Sequence, residues 1–374
     1  MDNAATTRLS PGALAAMLPY MEMEGGNPSG SHRYAREAKK ALEQSRRTMG
    51  ECLNCRPEEV IFTSSGSEGN NMVLRGAVTG EKRHIIASAI EHPAVLNTLR
   101  DMAERGQCSY TLLSVDAEGL VHPETLKKAI RPDTCLVSVM LANNEVGTIE
   151  PVKELCAIAH ELGIPFHTDA VQAVGHLPVD IQALGVDYLT LAAHKFHGPK
   201  GVGAAYIKSG ALAHPFITGG EQEHTRRAGT ENLPGVVGMA FALQEQLANL
   251  QGEGERLTLL RNRLIQKILE AFPGARLNGS FTNRLPQNVS FSFPGIAADQ
   301  LLMYLDQRGI AASSGSACTA GSLEPSHVLL AMGRNAREAR SALRLSFSRF
   351  TTEQEVEITA QTLIEAVKKL SKMN

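Results

Sequence analysis

The sequence predicts an α/β protein: a large unit built on a mainly parallel sheet, then a smaller α+β unit. Three observations carry that expectation. Short apolar strands alternate with helical patterns through the first half of the chain. After about residue 245 that alternation gives way to a long helical stretch and then to further strands. At 374 residues the chain is too long for one small core and long enough for two domains.

The elements read in order. "EVIFT" (59–63), "HIIASA" (84–89), "CLVSVML" (135–141), "IPFHT" (164–168), "DYLTL" (187–191) and "VGAAYI" (202–207) are predicted strands. Between them, "VKELCAIAHELG" puts Val152, Leu155, Cys156, Ala159 and Leu162 on one helical face and ends in Gly163. Residues 242–272 read as a long helix with a weak point at Gly252–Gly254. "NVSFSF" (288–293) and "ALRLSF" (342–347) read as strands, and Thr352 with Glu355 forms the capping box of a last helix.

Composition narrows the function classes. Hydrophobic residues make up 43% and charged residues 20%, as in an ordinary globular protein. A net charge of −2 gives no bulk signal for nucleic acid, and none is expected as a direct partner. Six scattered cysteines form no disulfide framework and fit a reducing cytoplasm. Cys52 and Cys55 make a C-x-x-C, but no second pair follows at zinc spacing, so no metal is expected. The start lacks a basic region followed by an apolar run, and no apolar run approaches the ~20 residues of a membrane helix.

Parallel sheets bind ligands at the carboxyl ends of their strands. "FTSSGSEGNN" (62–71) ends a strand, turns on small residues and starts a helix near Ser67, as a phosphate site does. Taken alone, such a stretch is more often just a turn and a cap. "HTDAVQAVG" (167–175) ends a strand in Asp169, which could hold a protonated ring nitrogen or cap a helix. "LAAHKFHGPKGVG" (191–203) sets Lys195 between a strand and a Gly/Pro turn, where it could form a Schiff base or sit solvated on the surface. Together these are the parts that pyridoxal 5′-phosphate needs: a phosphate turn, an acid for the pyridine nitrogen and a lysine for the aldehyde. His92 in "EHPAV" can stack on a ring and shuttle protons; Asn144 in "ANNEVGT" can donate to cofactor or substrate, or make an Asx turn. Arg344 alternates with Leu343, Leu345 and Phe347, which leaves it on the other strand face, free for a carboxylate.

Those motifs, with "DNAATT" (2–7), "RRAGTEN" (226–232), "SSGSACTAGSLEPSHVL" (313–329) and "LRLSFSRFTT" (343–352), run nearly end to end. The chain resembles the NifS-like cysteine desulfurases, class V enzymes of fold-type I that depend on pyridoxal phosphate. The resemblance implies a large cofactor domain over 13–245 and a small α+β domain from 1–12 and 246–374 that carries the cysteine loop. It implies that Lys195 carries the aldehyde and moves the Cα proton. Asp169 is expected on the ring nitrogen, Gln172 on the ring hydroxyl and His92 over the ring. Gly66, Ser67 and His194 are expected at the phosphate, with Thr230 reaching the phosphate of the neighbouring subunit in a homodimer. Asn144 and Arg344 are expected to hold the substrate carboxylate, and Cys318 to take sulfur from L-cysteine as a persulfide, releasing L-alanine. A protein acceptor, such as an iron–sulfur scaffold or a tRNA-thiolation enzyme, then receives the sulfur. A selenocysteine lyase, an aminotransferase and a non-catalytic partner-binding protein are the competing readings.

Two positions depart from the family pattern. Ala192 stands where a serine hydroxyl usually binds phosphate, at a loss of about 1.5–3 kcal/mol if nothing replaces it. Ser65 stands where a glycine is common. The small residues around Cys318 resemble the long-loop branch, which implies a poorly ordered segment over 318–327 when no partner is bound.

Overall fold

The computed structural model describes residues 1–372 except Gly25, Thr79, Ala213 and 315–323. Its strands are β1 (Val60–Thr63), β2 (His84–Ser88), β3 (Ser109–Leu113), β4 (Thr134–Ser138), β5 (Phe166–Asp169), β6 (Tyr188–Ala192), β7 (Gly203–Ile207), β8 (Arg276–Leu277), β9 (Asn288–Ser292), β10 (Ser313–Ser314) and β11 (Ala342–Ser346). The first half carries helices α1 (Pro11–Met21), α2 (Arg33–Leu53), α3 (Gly66–Ala77), α4 (Pro93–Glu104), α5 (Pro123–Ala129), α6 (Val152–Glu161) and α7 (Ile181–Leu184). The second half carries α8 (Leu233–Leu247), α9 (Leu250–Ala271), α10 (Ala298–Asp306), α11 (His327–Ala331), α12 (Ala336–Ala339) and α13 (Glu353–Leu370).

Seven strands form one sheet in the order β1-β7-β6-β5-β4-β2-β3. The β2–β3, β2–β4, β4–β5 and β5–β6 pairings are parallel; β6–β7 and β1–β7 are antiparallel. The sheet is therefore mainly parallel, as the alternation predicts. Two reversals bring β1 back parallel to β6, so their carboxyl ends share one edge of the sheet. β7 starts at that same edge with Gly203. A Cβ there would lie 2.7 Å from the Leu191 carbonyl oxygen and 2.9 Å from the carbonyl carbon of Ser65, so only glycine allows the approach.

β4, β5, β6 and β7 are buried at every position, because helices cover both faces of a sheet wound this way. β3 was not expected from the sequence. It lies at the sheet edge, and four of its five residues are only partly buried or exposed, so it carries no strong apolar run. The second sheet is antiparallel, in the order β10-β11-β9-β8. Its core collects Leu257, Leu264 and Ile268 from α9, Phe291 from β9, Leu343 and Leu345 from β11, and Leu363 from α13.

The long helix does not break at Gly252–Gly254. It divides at Ala248–Asn249, and both glycines lie within α9. A Cβ on Gly252 would meet the Asn249 side chain at 2.7 Å, so the small residue makes room for the turn. A helical glycine costs about 1 kcal/mol, which the buried apolar face of α9 outweighs. The predicted capping box is present: Thr352 Oγ1 accepts from the Glu355 N–H at 3.2 Å, and Glu355 accepts from the Thr352 N–H at 2.8 Å.

Phe347 is fully buried in the second core, whereas Leu259 on α9 is 71% exposed. Phe347→Ala is expected to lower stability by about 3–5 kcal/mol and Leu259→Ala by no more than about 0.5 kcal/mol, measured by urea unfolding.

Candidate active site

At the carboxyl edge of the large sheet lies a cavity of about 350 Å³. Gly66, Ser67, His92, Asn144, Asp169, Gln172, His194, Lys195 and Arg344 all line it, as does Ala192. Thr230 does not; it is exposed, in the segment after Arg227.

The cradle comes from the β1–α3 turn. α3 starts at Gly66, one residue before the expected Ser67, because Ser65 is its N-cap and accepts from the Glu68 N–H at 3.1 Å. The first N–H groups of a helix have no intrahelical partner and, with the helix dipole, suit an anion. A Cβ on Gly66 would stand 2.6 Å from a Val171 methyl group, so the turn tolerates no side chain there.

Asp169 ends β5 with both carboxylate oxygens engaged. Oδ1 accepts from the Val171 N–H at 3.0 Å and Oδ2 from Asn70 Nδ2 at 2.7 Å. Asn70 is fixed in turn, since its side-chain oxygen accepts from the Thr190 hydroxyl. Behind Thr190 lies His167, whose Nδ1 is 2.8 Å from the Ser138 hydroxyl. Complete burial pushes His167 down to about 3, so this chain of groups stays neutral up to the carboxylate. Asn70 escaped the sequence reading. Its place on the same helical face as Val73, Leu74 and Ala77 was the available signal.

Lys195 follows β6 by one tight turn. Its Nζ donates to the carbonyls of Ala4 at 2.6 Å and Ala5 at 2.8 Å. Gln172 Nε2 donates to the same Ala4 oxygen at 3.0 Å. The first residues of the chain thus form one wall of the site, a role their sequence did not disclose. Thr7 stitches them down, donating its N–H and hydroxyl to the His194 carbonyl at 2.9 Å each.

His92 caps α4, its Nδ1 accepting from the Ala94 N–H at 3.1 Å, which puts the proton of the neutral ring on Nε2. Burial is the main cause that lowers its pKa, opposed by Asp169 and reinforced by Lys195. Burial, then Lys195 and Lys200, push His194 down to about 4. Both imidazoles are therefore neutral acceptors or donors at pH 7.

Arg344 is not free, as expected from its strand face. Leu343 and Leu345 do point into the second core, but the guanidinium is buried and already bonded. Nη2 donates to Asp2 at 2.9 Å and Nη1 to the Asn144 carbonyl at 3.0 Å, while Nε has no partner among the described residues. The Asx turn that was the alternative role for Asn144 is made by Asn143, whose Oδ1 accepts from the N–H groups of Glu145 and Val146 at 2.8 and 3.0 Å. Asn144 is left facing the cavity.

Cys318 lies outside the described residues, with most of the segment expected to be poorly ordered. The described end of that segment is tied down. Ser326 caps α11 and donates its hydroxyl to Glu145, and His327 Nε2 donates to the Glu91 carbonyl at 2.9 Å.

Three buried carboxyls sit around this site. Burial raises Glu91 to about 8, against bonds from Ser88 and the Met140 N–H. Burial raises Glu145 to about 7, against Ser326 and Arg344, and Glu150 to about 8, against the Val121 N–H. Each carboxyl binds its proton more tightly when folded than at its ordinary 4.5, so each loses stability as pH rises toward 8. Buried His167, His176 and His194 act oppositely: held at about 3, 4 and 4, they lose stability only as pH falls below 6.5. Stability is therefore expected to fall between about pH 6.5 and 8, and Glu91→Gln is expected to flatten that slope in urea unfolding measured across the range.

The cavity suits pyridoxal phosphate in its parts: a cradle too tight for a Cβ, an acid at one strand end and an amine at the next. Residues 1–358 match the model of the aminotransferase class-V family. The chain is 45% identical over 373 residues to the cysteine desulfurase IscS of Dictyoglomus turgidum, covering 99% of this chain and 94% of that one. Among solved structures, a NifS-like protein superposes with a TM-score of 0.92 at 36% identity, covering 98% of both chains. A structure of SspA in complex with cysteine superposes with a TM-score of 0.82 at 34% identity, covering 94% of this chain and 99% of that one. The chain belongs to the class-V aminotransferase family, in its IscS/NifS cysteine desulfurase branch.

Proposed function

We propose that the protein takes sulfur from L-cysteine with pyridoxal 5′-phosphate as cofactor. The observation that carries this is the convergence of Asp169, Lys195 and the Gly66–Ser67 turn on one cavity. When bound, the cofactor supplies an aldehyde for the substrate amine and an electron sink for its Cα.

The residues divide the work. Gly66 and Ser67 hold the phosphate, with His194 beside them. Asp169 keeps the ring nitrogen protonated, and Gln172 reaches the ring hydroxyl by turning from Ala4. His92 covers the ring. Lys195 removes the Cα proton and returns it. The buried Arg344, with Asn144, holds the substrate carboxylate, which competes there with Asp2. The Cys318 thiolate forms a bond to the substrate sulfur as the Cβ–S bond breaks. Cβ then takes a proton, leaving L-alanine and a persulfide on Cys318.

The same reading sets a cofactor domain at 13–245 and a smaller domain at 1–12 and 246–374. Met1 packing on the second core and Asp2 bridging to Ser346 support placing the first residues with the second sheet. It makes the protein a homodimer in which Thr230 serves the neighbouring site, and it passes sulfur to a protein acceptor. A reducing, cytoplasmic setting accords with the five described cysteines being unpaired. Among the described residues, no helix is long and apolar enough to cross a membrane.

The test supplies L-cysteine, and separately selenocysteine, to purified protein with the cofactor, and measures alanine with sulfide or selenide. Cys318→Ala is expected to keep the yellow bound cofactor and lose sulfur transfer. Lys195→Ala is expected to slow alanine formation by about 10²–10⁴-fold. Full sulfur transfer by Cys318→Ala overturns the assignment.

A further inference from the structure

β1 is the end strand of the large sheet and pairs only with β7. A sheet edge leaves backbone groups unpaired. Here two of them, and the N–H one residue past the strand, end on charged side chains. The Val60 carbonyl accepts from Arg46 Nη1 at 2.6 Å, the Phe62 N–H donates to Glu223 Oε2 at 2.8 Å, and the Ser64 N–H donates to Glu68 Oε2 at 2.8 Å. Two residues after Ser64 the chain enters the cradle at Gly66.

Both carboxylates are themselves paired. Arg46 grips Glu223 through two bonds of 2.7 and 2.9 Å, both side chains are 2% exposed, and the guanidinium lies 4.7 Å over the Phe62 ring. Arg227 Nε donates to Glu68 Oε1 at 2.8 Å. Burial pushes Glu68 upward, but the bonds from Arg227 and Ser64 prevail and keep it ionised below the usual range. The first pair therefore ties β1, and the second the turn after it, to one distant segment, 223–227.

That segment is strained. Glu223, His224 and Thr225 have φ of 48°, 56° and 67°, in the left-handed region. Such a conformation is unfavourable outside glycine, so a run of three persists only where surrounding contacts hold it. The two ion pairs are such contacts.

We propose that these pairs form a brace for the phosphate end of the cofactor site, with Arg46, Glu68, Glu223 and Arg227 as positioning residues. The inference rests on the reading of the cavity as a pyridoxal phosphate site. Glu68 carries its charge in the first turn of the helix whose N-terminus receives the phosphate. Arg227 neutralises that charge. Without Arg227, an uncompensated carboxylate stands beside the incoming dianion, and the Ser64 anchor loses its partner's hold. The loss falls on ligands that carry phosphate and spares those that do not.

Arg46 and Glu223 are too deeply buried for a clean test, since breaking that pair could prevent folding. Arg227 is one-fifth exposed and serves instead. Apoprotein is titrated with pyridoxal phosphate and, separately, with pyridoxal, following the absorbance of the bound ring. Arg227→Met is expected to raise the dissociation constant for pyridoxal phosphate about tenfold and that for pyridoxal less than about twofold. Adding Glu68→Gln to Arg227→Met is expected to recover part of the loss and no more, because the bare carboxylate is gone while the tie to 223–227 stays broken. An equal loss for both ligands, no loss, or full recovery in the double variant overturns the brace. Wild-type protein that binds both ligands equally well overturns the phosphate-site reading itself, and the brace with it.

Discussion

The Asp169 carboxylate is the fixed point of the site. It ends β5 one strand away from the turn that carries Lys195, and the sheet sets that spacing. Its oxygens are held by the Val171 N–H and by Asn70, which Thr190 orients from the neighbouring strand. These donors stand in for the water that a buried carboxylate would otherwise bind. The neutral His167 behind Thr190 adds no charge of its own. Strand register, helix α3 and a short polar network thus converge to aim one negative charge into the cavity.

The first seven residues close the site from the other side. They reach Lys195, Gln172 and Arg344, contacts that join positions 168 to 342 residues apart. The carbonyls of Ala4 and Ala5 hold the lysine amine, and Asp2 engages the guanidinium. The same groups are those proposed to bind cofactor and substrate. The N-terminal segment therefore competes with the ligands for these donors, so its contacts contribute to how tightly the site binds.

Much of this was legible in the sequence. The strands β1, β2, β4, β5, β6 and β7 announced themselves as apolar runs, and the small residues of 64–67 announced the cradle. Lys195, Asp169, His92 and Asn144 were placed at strand ends or turns, Arg344 on a strand face, and Gln172 and His194 through the family resemblance; the structure gathers all seven in one cavity. What stayed hidden depends on partners far away in the chain. Periodicity reports one element at a time, so it could not show Arg46 meeting Glu223 across 177 positions, or Asn70 meeting Asp169 across 99. The exposed edge strand β3 and the two-residue strands β8 and β10 carry too little apolar pattern to register. Arg344 was placed on the correct face of its strand, but the alternation that placed it says nothing of Asp2 waiting there.

In the proposed reaction the Asp169 charge drives the chemistry through the cofactor ring while Lys195 moves the proton. The most direct measurement is exchange of the substrate Cα hydrogen with deuterated water in Asp169→Asn, a change of nearly equal size that removes the charge and one of the two acceptor oxygens. The account predicts that the variant still binds pyridoxal phosphate, because the cradle and Lys195 are intact, and that exchange slows by about 10²-fold or more. Exchange at the wild-type rate in a cofactor-loaded Asp169→Asn protein would contradict it.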